Sequence, residues 1–416
     1  MDKKKTSTLK HSVFDAYLNK FSVRETIIDK PVSSELGLIV VIPCYNEASI
    51  VDALFSLNSA EKPACSVEVI VVVNQGDGAG SVVTKRNRDS IAELSVVSSN
   101  LWFDLHVVEE LNLPMKYAGV GLARKIGLDE GIRRFSMIRN DGILVCFDAD
   151  SLVAKNYFVE LEEVFKKDTL GCNIYFEHDI VGPNLAINKA IIDYELFLRY
   201  YNLAMNYIGV PYAHFTVGSS MAFTCAAYMR VGGMNKRKAG EDFYFLHKII
   251  QLGHFQEVTS TSVFPSARCS DRVPFGTGKA VSAYIENKCE QLQTYPLSSF
   301  LFLKCFTEKL RNYDLKKWPK EIVDFLPPDF MDSLKKVRQN AKSTENYIFS
   351  AFQLFNAFQA LKFLHFMRDK VEAININDAV LEIMTKVGHN VPSHNTNAAL
   401  LKELRKMDKE LLYRCH

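Results

Sequence analysis

None of the nine cysteines in this 416-residue chain stands in a CxxC pair. Scattered and odd in number, they exclude a zinc ribbon and read as reduced core residues of a cytosolic protein rather than a disulfide frame. An excess of one charge is equally lacking. The 50 Lys and Arg oppose 48 Asp and Glu, and a formal charge of +2 gives no case for nucleic acid as a partner. No apolar signal core follows the basic Met1–Lys5, because Thr, Ser, Lys and His come next. No uninterrupted run is long enough to cross a bilayer. The nearest, Tyr347–Phe366, carries Gln353, Asn356, Gln359, Lys362 and His365 at helical spacing. It reads as one amphipathic helix packed on a domain, with peripheral membrane contact through its aromatic face as the alternative. The expected compartment is cytoplasmic, with the inner face of a membrane as the other option. Internal repeats, low-complexity tracts and the GxGxxG dinucleotide fingerprint are also missing.

What is present is an apolar content of 48%, ample for a core in a chain long enough for two or three domains. Short apolar runs at Leu38–Ile42, Val67–Val73, Leu105–Val108, Ile143–Phe147 and, more weakly, Cys172–Phe176 read as strands. Helical periodicity occupies Ser49–Ser59, Ser81–Leu94, Tyr117–Phe135 and Asn156–Lys166. This alternation predicts an α/β fold with a mostly parallel, Rossmann-like sheet flanked by helices. Residues 1–35 form a polar leader, 36–265 the sheet domain, 266–280 a Gly- and Arg-rich mobile loop, and 281–416 an all-helical appendage punctuated by Pro327-Pro328 and Pro392.

The run Ile143–Phe147 ends in Asp148-Ala149-Asp150. Two carboxylates at the carboxyl end of a buried strand suit Mg2+ or Mn2+ on a diphosphate; an Asp-rich turn is the plain alternative. The first strand ends in Pro43-Cys44-Tyr45-Asn46-Glu47, shaped either to hold a base and ribose or to cap the next helix through Asn46 or Ser49. Asn74-Gln75-Gly76-Asp77-Gly78-Ala79-Gly80 reads as a flexible turn whose backbone amides can also approach a ligand. Lys116, Arg124 and Lys125 open a helix at the wrong end for cations, which a nucleotide diphosphate or a solvated charged face would explain. Glu241-Asp242 begin another helix, where acids are stabilised anyway and where one carboxylate can take a proton from a hydroxyl. Arg268, Arg272 and Lys279 lie in a loop suited to closing over phosphate or acceptor oxygens, or to linking two domains.

In order, these pieces resemble a family-2 glycosyltransferase of GT-A fold, within the nucleotide-diphospho-sugar transferase superfamily. Asp148-Ala149-Asp150 resembles the family's DxD, Ile42–Glu47 its opening strand and turn, and Gly218-Ser219-Ser220-Met221-Ala222-Phe223 through Glu241-Asp242 its acceptor-side block; the likeness covers residues 36–260. It implies that Asp148 and Asp150 hold Mg2+ or Mn2+ on a nucleotide-sugar diphosphate, that Pro43, Tyr45 and Glu47 line the nucleoside pocket, and that Asp242, beside Glu241, is the base. Asn74-Gln75 stand where many relatives have an acidic pair on the base, so the nucleotide is not specified. Neither the QxxRW motif nor the membrane helices of processive polysaccharide synthases occur.

The implied function is a metal-dependent, inverting, non-processive transfer of a hexosyl group to an acceptor hydroxyl on a glycan, a lipid-linked molecule or a small molecule. Three alternatives remain: a retaining GT-A transferase, a sugar-phosphate nucleotidyltransferase, and an inactive glycan- or nucleotide-binding scaffold. The nucleotidyltransferase lacks its glycine-rich, lysine-bearing phosphate loop near the N-terminus.

Overall fold

A computed structural model of the chain describes residues 11–269, 276–286 and 292–412. The described residues fall into two compact units, one within Met1–Asp179 and Thr216–Lys279, the other within Ile180–Phe215 and Ala280–His416. In chain order the elements begin α1 (His11–Phe21), β1 (Leu36–Cys44), α2 (Ile50–Asn58), β2 (Ser66–Gly76), α3 (Ser81–Val97), β3 (Asp104–Leu113), α4 (Val120–Ile138) and β4 (Ile143–Cys146). Next come β5 (Leu152–Val153), α5 (Tyr157–Phe165), β6 (Gly171–Phe176), α6 (Leu185–Tyr207), β7 (Met221–Thr224), α7 (Cys225–Arg230), α8 (Glu241–Ile250) and β8 (Phe255–Phe264).

The first unit is a mostly parallel eight-stranded sheet in the order β3-β2-β1-β4-β7-β6-β8-β5. β1 runs parallel to β2 and β4, with Val41 opposite both Ile70 and Cys146; β7 is antiparallel to β4 and β6. Leu38 through Ile42 are fully buried, which explains their unbroken apolar character: a central parallel strand faces helices on both sides. Leu38, Val40 and Ile42 pack with Leu54 of α2, Leu94 of α3 and Phe158 of α5. Ile39 and Val41 pack with Phe14 of α1, Ile126 of α4 and Phe245 of α8. Each such side chain contributes about 2 kcal/mol by burial. One buried ion pair crosses the second layer, where Arg134 of α4 donates to Glu68 of β2 at 2.6 Å, with His106 of β3 at 3.4 Å from the same carboxylate. Burial alone would raise the Glu68 carboxyl, but the adjacent His106 ring and the Arg134 guanidinium outweigh it and hold the pKa below its ordinary value.

The five expected strands and four expected helices all occur, with ends shifted by a few residues. β5, β7, β8 and α6 were not legible. β5 has two residues and β7 four, too few for a period, while α6 hides Asp193, Glu195 and Arg199 among its buried positions.

The remaining elements in chain order are α9 (Thr277–Glu286), β9 (Gln293–Thr294), α10 (Leu297–Arg311), α11 (Lys320–Phe325), α12 (Phe330–Asn340), α13 (Thr344–Leu354), α14 (Ala357–Met367), β10 (Ile374–Asn375), α15 (Ile376–Lys386) and α16 (Asn397–Glu410). The expected single helix over Tyr347–Phe366 is two, α13 and α14. Phe355 leaves helical geometry at φ −111°, ψ 73°, and the Asn356 side chain caps α14 by accepting from the amides of Phe358 and Gln359 at 3.0 and 3.2 Å. Its aromatic side is largely core, since Tyr347, Phe352, Phe355 and Phe363 are buried. Among the described residues no helix is long and apolar enough to cross a membrane. Cys44, Cys146, Cys172 and Cys225 are buried and belong to no disulfide.

Candidate active site at the carboxyl edge of the sheet

β1, β2 and β4 run parallel, so the turns that follow them emerge at one edge. The Asp148–Asp150 turn follows β4, the Tyr45–Glu47 turn follows β1, and Asn74 and Gln75 end β2. Two further pieces reach the same edge: Arg124 from the second turn of α4, and Glu241 and Asp242 at the start of α8, which Gly240 opens at φ 69°.

Arg124 organises this edge. Its side chain is 3% exposed; one guanidinium nitrogen holds Glu241 and the other holds Asp148. The solvated-face reading therefore fails for Arg124, and the diphosphate reading meets a guanidinium already engaged on both sides. It fails for Lys125 as well, which is buried and paired with Asp129 at 3.1 Å. Gly218 makes the room. A Cβ there would stand 2.6 Å from Nη2 and 2.9 Å from Cζ of Arg124.

The second organiser is Arg268, just after β8. Its Nη1 donates to Glu47 Oε1 at 2.7 Å, and its Nη2 engages Glu47 Oε2 and lies 2.7 Å from Asp150 Oδ2. Glu47 is buried and its Oε1 also accepts from the amides of Ala48 and Ser49 at 2.8 and 2.9 Å. Glu47 thus braces the turn that leads into α2 through amides that precede the helix. Ser49 stands at the N-cap position without a side-chain bond, and Asn46 turns the chain at φ 49° instead.

The polar pair Asn87 and Ser90 escaped sequence reasoning, although its spacing with Leu94 marks the buried face of α3. Asn87 accepts from the Asn46 amide at 2.8 Å and donates to the Asn74 carbonyl at 3.2 Å and to Gln75 Oε1 at 2.9 Å. Ser90 donates to the Glu47 carbonyl at 3.0 Å. Pro43 and Tyr45 are half-buried at this rim, and Asn74 is buried. Ser219 and Ser220 are also buried, 3.5 Å apart at their hydroxyls. Lys116 is exposed beside Tyr117. Arg272 lies outside the described residues.

Electrostatics separate the two acids of α8 from ordinary carboxylates. Burial raises Glu241, with Arg124 opposing and Asp242 and Asp148 adding to the rise. Burial likewise raises Asp242, again opposed by Arg124, while its carboxylate accepts from the Phe243 amide at 2.7 Å. Among the described residues no three His, Cys, Asp or Glu side chains converge on a metal position. Two carboxylates do share a turn: Asp148 and Asp150 keep 37% and 21% of their side chains exposed. Hard oxygens in that number fit Mg2+ or Mn2+, which take one or two carboxylates and complete their shells with water and phosphate. Each carboxylate is engaged by a guanidinium, so a metal would compete with Arg124 and Arg268.

No family model matches the chain, and no curated protein matches it. Among solved structures it is similar to S. aureus TarS 1–349, at 15% identity and TM-score 0.40, covering 77% of this chain and 92% of that one. The same protein in complex with UDP-GlcNAc is 14% identical with a TM-score of 0.40, covering 87% of this chain and 95% of that one. The mannosyltransferase PcManGT from Pyrobaculum calidifontis, in complex with GDP-Man and Mn2+, is 15% identical with a TM-score of 0.35, covering 96% and 93%.

Proposed function

We propose that this site moves a glycosyl group from a nucleotide-diphosphate sugar to an acceptor hydroxyl, with inversion and one residue at a time. The observation that carries the reading is Arg124, whose two nitrogens tie Asp148 of the DxD turn to Glu241 beside Asp242. The acids proposed for the donor diphosphate and for the acceptor proton therefore sit on either side of a single guanidinium.

In this reading Pro43, Tyr45 and Asn74 receive the nucleoside, with Glu47 beneath them as counter-ion to Arg268. Asp148 and Asp150 hold Mg2+ or Mn2+, which when bound would stabilise the departing diphosphate as a Lewis acid. Asp242 accepts the acceptor's hydroxyl proton as its oxygen attacks the anomeric carbon opposite the leaving group, the raised pKa making it a stronger base once ionised. Glu241 and Arg124 position the base and balance its charge.

Incubation with a panel of nucleotide sugars and Mn2+, following nucleoside diphosphate release, tests the reading. Release that stops in Asp242→Asn while nucleotide still raises the thermal midpoint supports it. The absence of any thermal shift with every nucleotide sinks it. A second reading, binding without turnover, is favoured by the guanidiniums on both Asp148 and Asp150; it predicts a thermal shift without release.

A further inference from the structure

Lys116 and the run Lys236-Arg237-Lys238 are distant in sequence and form one surface. The Lys116 and Lys236 ammonium groups lie 5.2 and 6.0 Å from the centroid of the same ring, Tyr117. The second segment seats closely on the start of α4, since a Cβ at Gly119 would lie 3.0 Å from Lys238 Cα and one at Gly121 would lie 2.2 Å from the Arg237 carbonyl. All four cations are exposed. Among the described residues none of them pairs with a carboxylate, whereas Arg124 and Lys125 of the same neighbourhood turn inward to acids. Asp77, on the turn whose Gly76 and Gly78 face Met115, makes no ion pair with them either.

A chain with a formal charge of +2 has no general surplus of cations to distribute. Four like charges gathered in one place repel one another unless an anion neutralises them. Two large side chains are exposed beside them: Met115 is 51% and Tyr117 41% exposed. Exposed cations beside a half-exposed methionine and tyrosine match a layer of headgroup phosphates over an apolar interior, the cations meeting phosphate and the apolar groups the interface. A single soluble phosphate would meet the cations but would leave the exposed faces of Met115 and Tyr117 in water.

We propose that Lys116, Lys236, Arg237 and Lys238, with Met115 and Tyr117, dock the protein on an anionic phospholipid surface. The patch would act whether or not the neighbouring site transfers sugars. Flotation of the full chain with vesicles of phosphatidylcholine, alone or mixed with phosphatidylglycerol, tests it. The expected result is flotation with the mixed vesicles only, released by rising salt. Lys236→Glu with Lys238→Glu should weaken partition by at least about tenfold, because each cation near such a surface adds severalfold to binding. Lys236→Arg with Lys238→Arg should keep it, and Met115→Ser, which leaves every charge in place, should weaken it. Flotation with neutral vesicles alone, none with mixed vesicles, or unchanged binding after charge reversal in a variant with native circular dichroism would each overturn the proposal. So would inorganic polyphosphate binding that the charge-reversed variant loses while neither chain floats.

Discussion

Nη2 of Arg268 lies 2.7 Å from Oδ2 of Asp150. The same guanidinium holds both carboxylate oxygens of Glu47, so the segment after β8 is tied at once to the turn after β1 and to the turn after β4.

Arg268 occupies Asp150 with positive charge, and a metal must displace it. Arg268→Gln is expected to tighten Mn2+ binding in the absence of nucleotide by about tenfold, the order expected when a cation within 4 Å is removed from a partly exposed carboxylate. Titration calorimetry with Mn2+ measures this, and an unchanged affinity would remove Asp150 from the metal site. The variant should also lose about 2 kcal/mol in urea unfolding, because the buried Glu47 loses the guanidinium that meets both of its oxygens.

Gly218 faces a guanidinium that cannot swing away, since Asp148 and Glu241 pin both of its outer nitrogens. Gly218→Ala places a methyl where Arg124 lies and should cost about 1–3 kcal/mol, the usual range for overpacking. Thermal unfolding of the variant would show the loss; a midpoint equal to wild type would mean that Arg124 has another place to go.

The acid limb of the pH–rate profile reports the base. Burial raises the Asp242 carboxyl, so it stays protonated where an ordinary aspartate, at about pH 3.9, has already ionised. Transfer should therefore rise with pH along a limb displaced above that value. Arg124 opposes the rise, so Arg124→Gln should move the limb higher still. Asp242→Asn should lower turnover on the order of a hundredfold or more at every pH. A limb at the ordinary aspartate position would assign the proton to another group.

Glu68 shows the opposite sign. Its pKa is lowered in the fold, so its contribution is fully present above the unfolded value of 4.5 and fades as pH falls through the folded one. Glu68→Gln leaves the buried Arg134 without its counter-ion and should cost about 3 kcal/mol near neutrality. Below pH 4.5 the gap between variant and wild type should narrow. Urea unfolding across that range decides the matter, and a gap independent of pH would contradict it.

The central strands were legible because burial on both faces leaves them no polar positions, as in Leu38–Ile42. The acids were legible as pairs, since Asp148 and Asp150 close an apolar strand and Glu241 and Asp242 open an amphipathic helix. What joins them was not. Arg124, Arg268 and Asn87 act across long sequence separations, and no local spacing records that a guanidinium from α4 will lie over Gly218. The single helix expected over Tyr347–Phe366 failed for a local reason, because the capping role of Asn356 was absorbed into an apparent polar stripe.

α6 sets a condition on how the chain is made. Its Arg199 pairs with Glu195 and Asp408, its Glu195 accepts from Arg405 at 2.7 Å, and its Asp193 accepts from Asn397 at 2.6 Å. During synthesis α6 leaves the ribosome before β7 and β8, while Asn397, Arg405 and Asp408 are still to be translated. A buried guanidinium and two buried carboxylates must wait for the last helix to close over them, and shortening the chain before Asp408 would leave Arg199 without its second carboxylate.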